Sequence, residues 1–201
     1  PNYLDYINYD YDKQEKELSN LEIISTIPQG ESPNVAYRNN GEKFKDVSKE
    51  WGLDLNGASN GIAYGDFDND GDLDLIINNL NAPLSLYENT LEKSKKRYFK
   101  VKFNGSPKNT LGIGNRVILK TKNGQQVQEL FPTRGWISSV EPVLIFGIDN
   151  LDIIDEVKVK WFDGKEEILK NLPVNNTYTF NYEDSETPKF KNNNTLRRKK
   201  I

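Results

Sequence analysis

The stretch GDFDNDGDLDLIIN, Gly65 to Asn78, sets Asp66, Asp68, Asp70, Asp72 and Asp74 on alternate positions around one glycine, Gly71. Five carboxylates this close repel one another unless a cation sits among them. A hard cation that takes six to eight oxygen ligands at roughly 2.3–2.6 Å, as Ca²⁺ does, meets that need. The spacing puts carboxylates at loop positions 1, 3, 5 and 9, a backbone carbonyl (Asp72) at position 7, and Gly71 at position 6, where the chain turns sharply. The stretch therefore reads as a calcium loop.

Two other readings compete for these residues. An EF-hand needs a bidentate Glu at position 12 and a helix on each side. Position 12 is Ile77, and the flanks Gly61 to Gly65 and Leu73 to Asn78 are strand-like, so the loop joins two strands. A plain wet Asp/Asn/Gly turn is the other reading, and it leaves five evenly spaced Asp unexplained.

Outward from the loop, the blade-like region runs from Asn34. It has a strand at Val35 to Asn39, an Asn-Asn-Gly turn ending at Gly41, a short strand around Phe44, a brief helical turn from Val47 to Leu53, and a later strand from Leu84 to Asn89. Ala36-Tyr37-Arg38-Asn39 returns 50 positions later as Leu86-Tyr87-Glu88-Asn89, a spacing near one blade unit. With AYRNNGEKFKDVSKEWGL (Ala36 to Leu53) ahead of it, the DxDxDGxxD loop resembles the FG-GAP or VCBS type of calcium-binding β-propeller repeat. The resemblance implies that Asp66, Asp68, Asp70 and Asp74 bind Ca²⁺ through side chains and Asp72 through its carbonyl. It also implies further propeller blades as partners, because one blade cannot bury both faces of its sheet.

From Tyr98 to Tyr182 a second unit reads as seven short antiparallel strands, which suggests a sandwich or small barrel. They fall at Tyr98 to Phe103, Arg116 to Thr121, Gln126 to Phe131, Val143 to Phe146, Val157 to Trp161, Glu167 to Leu169 and Tyr178 to Tyr182. Asn123-Gly124 and Asp163-Gly164 mark two hairpin turns. The turn GIGNRV (Gly112 to Val117), the loop RGWISS (Arg134 to Ser139), Phe146-Gly147 and the hairpin VKWFDG (Val159 to Gly164) resemble the ASPIC/UnbV domain, which commonly follows FG-GAP repeats in secreted proteins.

The expected fold class is thus mainly β, one propeller-type blade with a calcium loop plus a β-sandwich or small-barrel domain. A short N-terminal helix over Asp12 to Thr26 completes it, with Asp12 and Glu15 at capping-box spacing. The expected domains are an N-terminal helical connector at 1–33, the repeat at 34–92, the ASPIC/UnbV-like β domain at 93–183 and a polar tail at 184–201.

Composition narrows the function. The chain has 201 residues, 35% hydrophobic, with a net charge of -3, so it buries a core and carries no bulk positive field for nucleic acid. Without Cys or His it lacks thiol nucleophiles, imidazole bases and the usual zinc and haem ligands. No apolar run reaches membrane-span length, no signal peptide opens the chain, and the lack of Met points to a fragment of a longer protein.

These features lead to a calcium-stabilised, non-catalytic binding or scaffold module of a secreted or cell-surface bacterial protein, acting in adhesion or in glycan or protein binding. The alternative is part of a polysaccharide-acting enzyme whose carboxylate pair comes from Asp149, Asp152, Asp155, Asp163, Glu166 and Glu167. RNA binding through Lys93, Lys95, Lys96, Arg97 and the basic tail ranks last against the acidic balance. On the RGWISS loop, Arg134, Trp136 and Ser138 carry groups suited to a sugar or a carboxylate, but the simpler expectation is a loop pinned to the core by Trp136.

Overall fold

The computed structural model describes residues 32–80, 82–90 and 97–188. The expected helix over Asp12 to Thr26 and the basic end of the tail lie outside them. The described residues are mainly β and fall into two compact units that divide between Ala58 and Ser59.

The first unit holds two short antiparallel pairs. Strands β1 (Ser32–Pro33) and β4 (Asn56–Gly57) pair at its ends, and β2 (Tyr37–Asn39) and β3 (Phe44–Asp46) form a hairpin. The Asn-Asn-Gly turn closes this hairpin as its chemistry requires. Asn39 accepts from the Gly41 amide at 2.8 Å, Asn40 accepts from Lys43, and Gly41 takes a φ of 91°. A single turn follows, with the Trp51 amide on the Val47 carbonyl at 2.9 Å. The Ser48 hydroxyl ties that turn to β2 by accepting from the Ala36 amide and donating to Asp46.

In the second unit, β5 (Ser59–Gly65), β6 (Asp74–Asn79) and β7 (Ser85–Tyr87) make a three-stranded antiparallel sheet. The β5–β6 register places Tyr64 opposite Leu75 and Gly65 opposite Asp74, so the acidic stretch is the connection between them.

The rest of the unit is a sandwich of two open sheets. One is ordered β10 (Gly124–Glu129), β9 (Arg116–Thr121), β12 (Ile153–Lys160), β13 (Glu166–Pro173). The other is ordered β11 (Leu144–Gly147), β8 (Tyr98–Asn104), β14 (Asn176–Asn181). The core comes from strict alternation. Phe99, Val101 and Phe103 of β8 point inward to meet Val117 and Leu119, Val157 and Val159, and Phe146 and Phe180. Phe99 stacks on Tyr178 with ring centroids 4.6 Å apart, and Phe103 meets Trp161 edge-on at 5.5 Å.

Seven strands occur near the expected positions, but they are not all antiparallel. The last, β14, lies parallel to the first, β8, pairing Tyr178 with Val101 and Phe180 with Phe103. A parallel neighbour needs a long crossover, and the entire intervening hairpin system supplies it. Turn residues between successive strands therefore carried no sign of this pairing.

Side chains link the sheet edges. Gln126 and Gln128 on β10 donate their amides to the Gly147 and Ile145 carbonyls of β11, each at 2.9 Å. At the opposite edge, Glu166 and Glu186 exchange backbone hydrogen bonds of 2.8 and 2.9 Å. Both pairs occupy edge groups that open strands would leave free for other chains.

One side chain on β13 is held against its preference. Glu167 has a buried carboxylate oxygen without a hydrogen-bond partner, and burial, aided by the charge of Asp184, raises its pKa above 4.5. A raised folded-state value means that Glu167 supports folding below its ordinary pKa and opposes it as pH climbs through the raised value. In thermal unfolding, Glu167→Gln should melt above the wild type at pH 7. The difference should shrink towards zero as pH falls to 4 and below.

Candidate functional site

The acidic loop is shaped by its own backbone amides. Asp66 accepts from the Asp70 amide at 2.9 Å and the Gly71 amide at 3.0 Å, Asp68 accepts from the Asp70 amide at 3.1 Å, and Asp70 accepts from the Asp72 amide at 3.3 Å. Two positions need positive φ: Asn69 at 60°, which Asn tolerates, and Gly71 at 100°. Gly71 has a second constraint. A Cβ there would lie 1.9 Å from the Tyr98 ring of β8, so the glycine lets the sandwich close over the loop.

This folding gathers one carboxylate oxygen each from Asp66, Asp68 and Asp70 within 4.8 Å of one another. Two oxygens on opposite sides of a Ca²⁺ ion stand about 4.6–5.2 Å apart, twice the metal–oxygen distance. The spacing of the three oxygens falls within that range.

Asp74 is engaged differently. Its buried carboxylate accepts from the Phe67 amide at 3.0 Å and the Asn89 amide at 2.9 Å, which ties the start of the loop to the segment after β7. Asp72 follows the turn at Gly71, its carboxylate oxygens are buried, and it is not one of the group of three. Of the five expected residues, the structure thus brings three together and uses a fourth to close the loop.

Sequence reasoning missed two contributors from the second sheet. Tyr98 and Lys100 stand two apart on β8 and share its outward face, opposite the core-facing Phe99 and Val101. The Lys100 ammonium donates to Asp66 Oδ2 and lies 5.1 Å from the centre of the Tyr98 ring. The pair is nearly dry, with side chains 12% (Lys100) and 3% (Asp66) exposed. Period-two alternation along β8 is the sequence signal that puts Lys100 on the outward face, but nothing in the sequence makes the acidic loop its neighbour.

The RGWISS loop differs from expectation. Trp136 is 73% exposed and Ile137 89%, so neither pins the loop to the core. Arg134 ties the loop to β5 instead, donating from Nε to the Tyr64 hydroxyl at 3.0 Å, while its amide bonds the Ser138 carbonyl. Ile137 takes a φ of 47°, an unusual conformation for a β-branched residue that leaves two apolar side chains in water. They edge an open cavity of about 550 Å³ whose floor is Gly61, Ile62, Ala63 and Ile76.

The remaining acidic candidates do not converge on a cavity. Lys158 holds Glu166 at 2.6 Å. Burial works to raise the Asp163 pKa, but bonds from the Tyr182 hydroxyl and the Lys165 amide outweigh it and leave it below 3.8. Arg97 lies 3.6 Å from Asp152.

The FG-GAP-like repeat family model matches residues 19–77, and the ASPIC and UnbV family model matches residues 105–187. The chain is 29% identical to mouse cartilage acidic protein 1 over 153 residues, which is 66% of the chain and 23% of that protein. The human protein is likewise 29% identical, with 22% of its length covered, and the Xenopus tropicalis protein is 32% identical over 116 residues, 54% of the chain and 17% of that protein. The chain thus spans about a fifth of the length of these relatives. No helix among the described residues is long and apolar enough to cross a membrane. On these matches the chain carries an FG-GAP-like repeat followed by an ASPIC and UnbV domain.

Proposed function

We propose that this chain is a calcium-stabilised, non-catalytic binding or scaffold segment of an extracellular protein. The observation that carries the reading is the trio of Asp66, Asp68 and Asp70 oxygens within 4.8 Å, a spacing and donor chemistry suited to Ca²⁺. Those three side chains would hold the ion, with the Asp72 carbonyl and Asp74 completing the set that the sequence resemblance implies. The ion would supply positive charge and a fixed angle between β5 and β6, not a reaction.

Several observations support a binding role over a catalytic one. The chain has no His or Cys, and two of the acidic candidates outside the loop are already engaged, Glu166 by Lys158 and Asp163 by the Tyr182 hydroxyl and the Lys165 amide. The exposed Trp136 and Ile137 beside their open cavity offer an aromatic face and apolar area to a glycan or protein partner. An extracellular setting is supported by the FG-GAP-like match and by the cartilage acidic protein 1 relatives.

Calcium should raise thermal stability. With free ion at a hundred times Kd, a site present only in the folded state adds about 2.7 kcal/mol, or roughly 5–10 °C in Tm for a chain of this size. Unfolding in EDTA and then in millimolar CaCl₂ measures the shift, and an Asp68→Ala, Asp70→Ala double variant should lose it. No shift in the wild type would remove the calcium reading.

Gly71→Ala tests the loop from its covered side. The added methyl meets the Tyr98 ring and forces a positive φ on alanine, so stability in EDTA should fall by about 2 kcal/mol or more. Isothermal titration should also show weakened calcium binding. A variant with wild-type Tm and affinity would mean that Tyr98 does not close the loop.

A further inference from the structure

We propose that Lys100 acts as a built-in competitor for the cation site, neutralising Asp66 when no metal is bound and weakening calcium binding when metal arrives. The proposal rests on the calcium reading above and concerns what sets the strength of that site. Asp66 is one of the three carboxylates whose oxygens fall within 4.8 Å, and its Oδ2 also accepts from the Lys100 ammonium. A dication coordinated by the Asp66 carboxylate would lie close to that ammonium, in a place where the two side chains are only 3% and 12% exposed and water screens little. Like charges this close repel strongly.

The geometry gives the lysine limited ways to accommodate an ion. Its stem rises from β8 beside Tyr98, whose ring covers Gly71 and lies 5.1 Å from the ammonium. Calcium binding must therefore push the ammonium off Asp66 towards solvent, and that displacement costs affinity. In exchange, the metal-free loop keeps a countercharge, and a charged tie holds it to the sandwich strand. Lys100 is thus a positioning residue that sets both the affinity of the site and the docking of the loop without calcium.

The test uses the full 201-residue chain, stripped with EDTA and titrated with CaCl₂ by calorimetry, as wild type, Lys100→Gln and Lys100→Arg. Gln keeps a donor for Asp66 and removes the charge, so it should bind calcium at least about tenfold more tightly, or about 1.4 kcal/mol. Arg keeps the charge and should stay within about threefold of wild type. In EDTA, Lys100→Gln should melt below the wild type, and saturating CaCl₂ should close that gap.

Equal or weaker binding by Lys100→Gln, with the wild type binding normally, overturns the role of Lys100 and leaves the calcium reading intact. Absence of binding in all three chains overturns both. If Lys100→Gln fails to fold, acylation of Lys100 in the wild type, followed by mass spectrometry, decides the matter. Calcium should speed the modification several-fold by releasing the ammonium, whereas a rate unchanged or slowed by bound calcium overturns the proposal.

Discussion

Negative charge crowded into the Asp66 to Asp74 turn is the constraint around which this part of the chain is arranged. The loop bends its backbone so that amides of Asp70, Gly71 and Asp72 point at carboxylates of the same loop, which spreads part of the charge over N–H dipoles. Those dipoles do not neutralise it. Three carboxylate oxygens still converge within 4.8 Å, and a full positive charge arrives from a different sheet, on Lys100. The hairpin and the sandwich are therefore joined through an electrostatic need of the hairpin.

The strand that meets this need is also the centre of the sandwich. The inward face of β8 carries Phe99, Val101 and Phe103 into the core, and its neighbours are β11 on one side and the parallel β14 on the other. Its outward face carries Tyr98 and Lys100 to the loop. A rigid, doubly paired strand makes a good platform for a site, since its side chains cannot drift with a loop. Changes at the acidic turn thereby bear on a strand whose other face lies in the core.

The RGWISS loop shows the same division of labour. Arg134 anchors it on Tyr64 of β5, and the loop tip then holds Trp136 and Ile137 out in water at the expense of a strained φ at Ile137. Packing alone would have turned these side chains inward. Their exposure beside an open cavity of mixed polar and apolar lining is the feature of the second unit that most suits contact with another molecule.

Much of this was legible in the chain itself, wherever the physics is local. Alternating Asp around Gly71, Asn-Gly and Asp-Gly pairs and two-residue alternation in β8 and β9 each depend on backbone conformation within a few positions, so the acidic turn and nearly every strand could be placed from the sequence. The glycine at position 6 was readable as a turn, though not as the gap under the Tyr98 ring. What depended on distant partners was not readable. The parallel seating of β14 on β8, the exposure of Trp136 and the approach of Lys100 to Asp66 join residues far apart in sequence. Each follows from how whole sheets stack, a balance of buried area and charge that no short window of sequence contains.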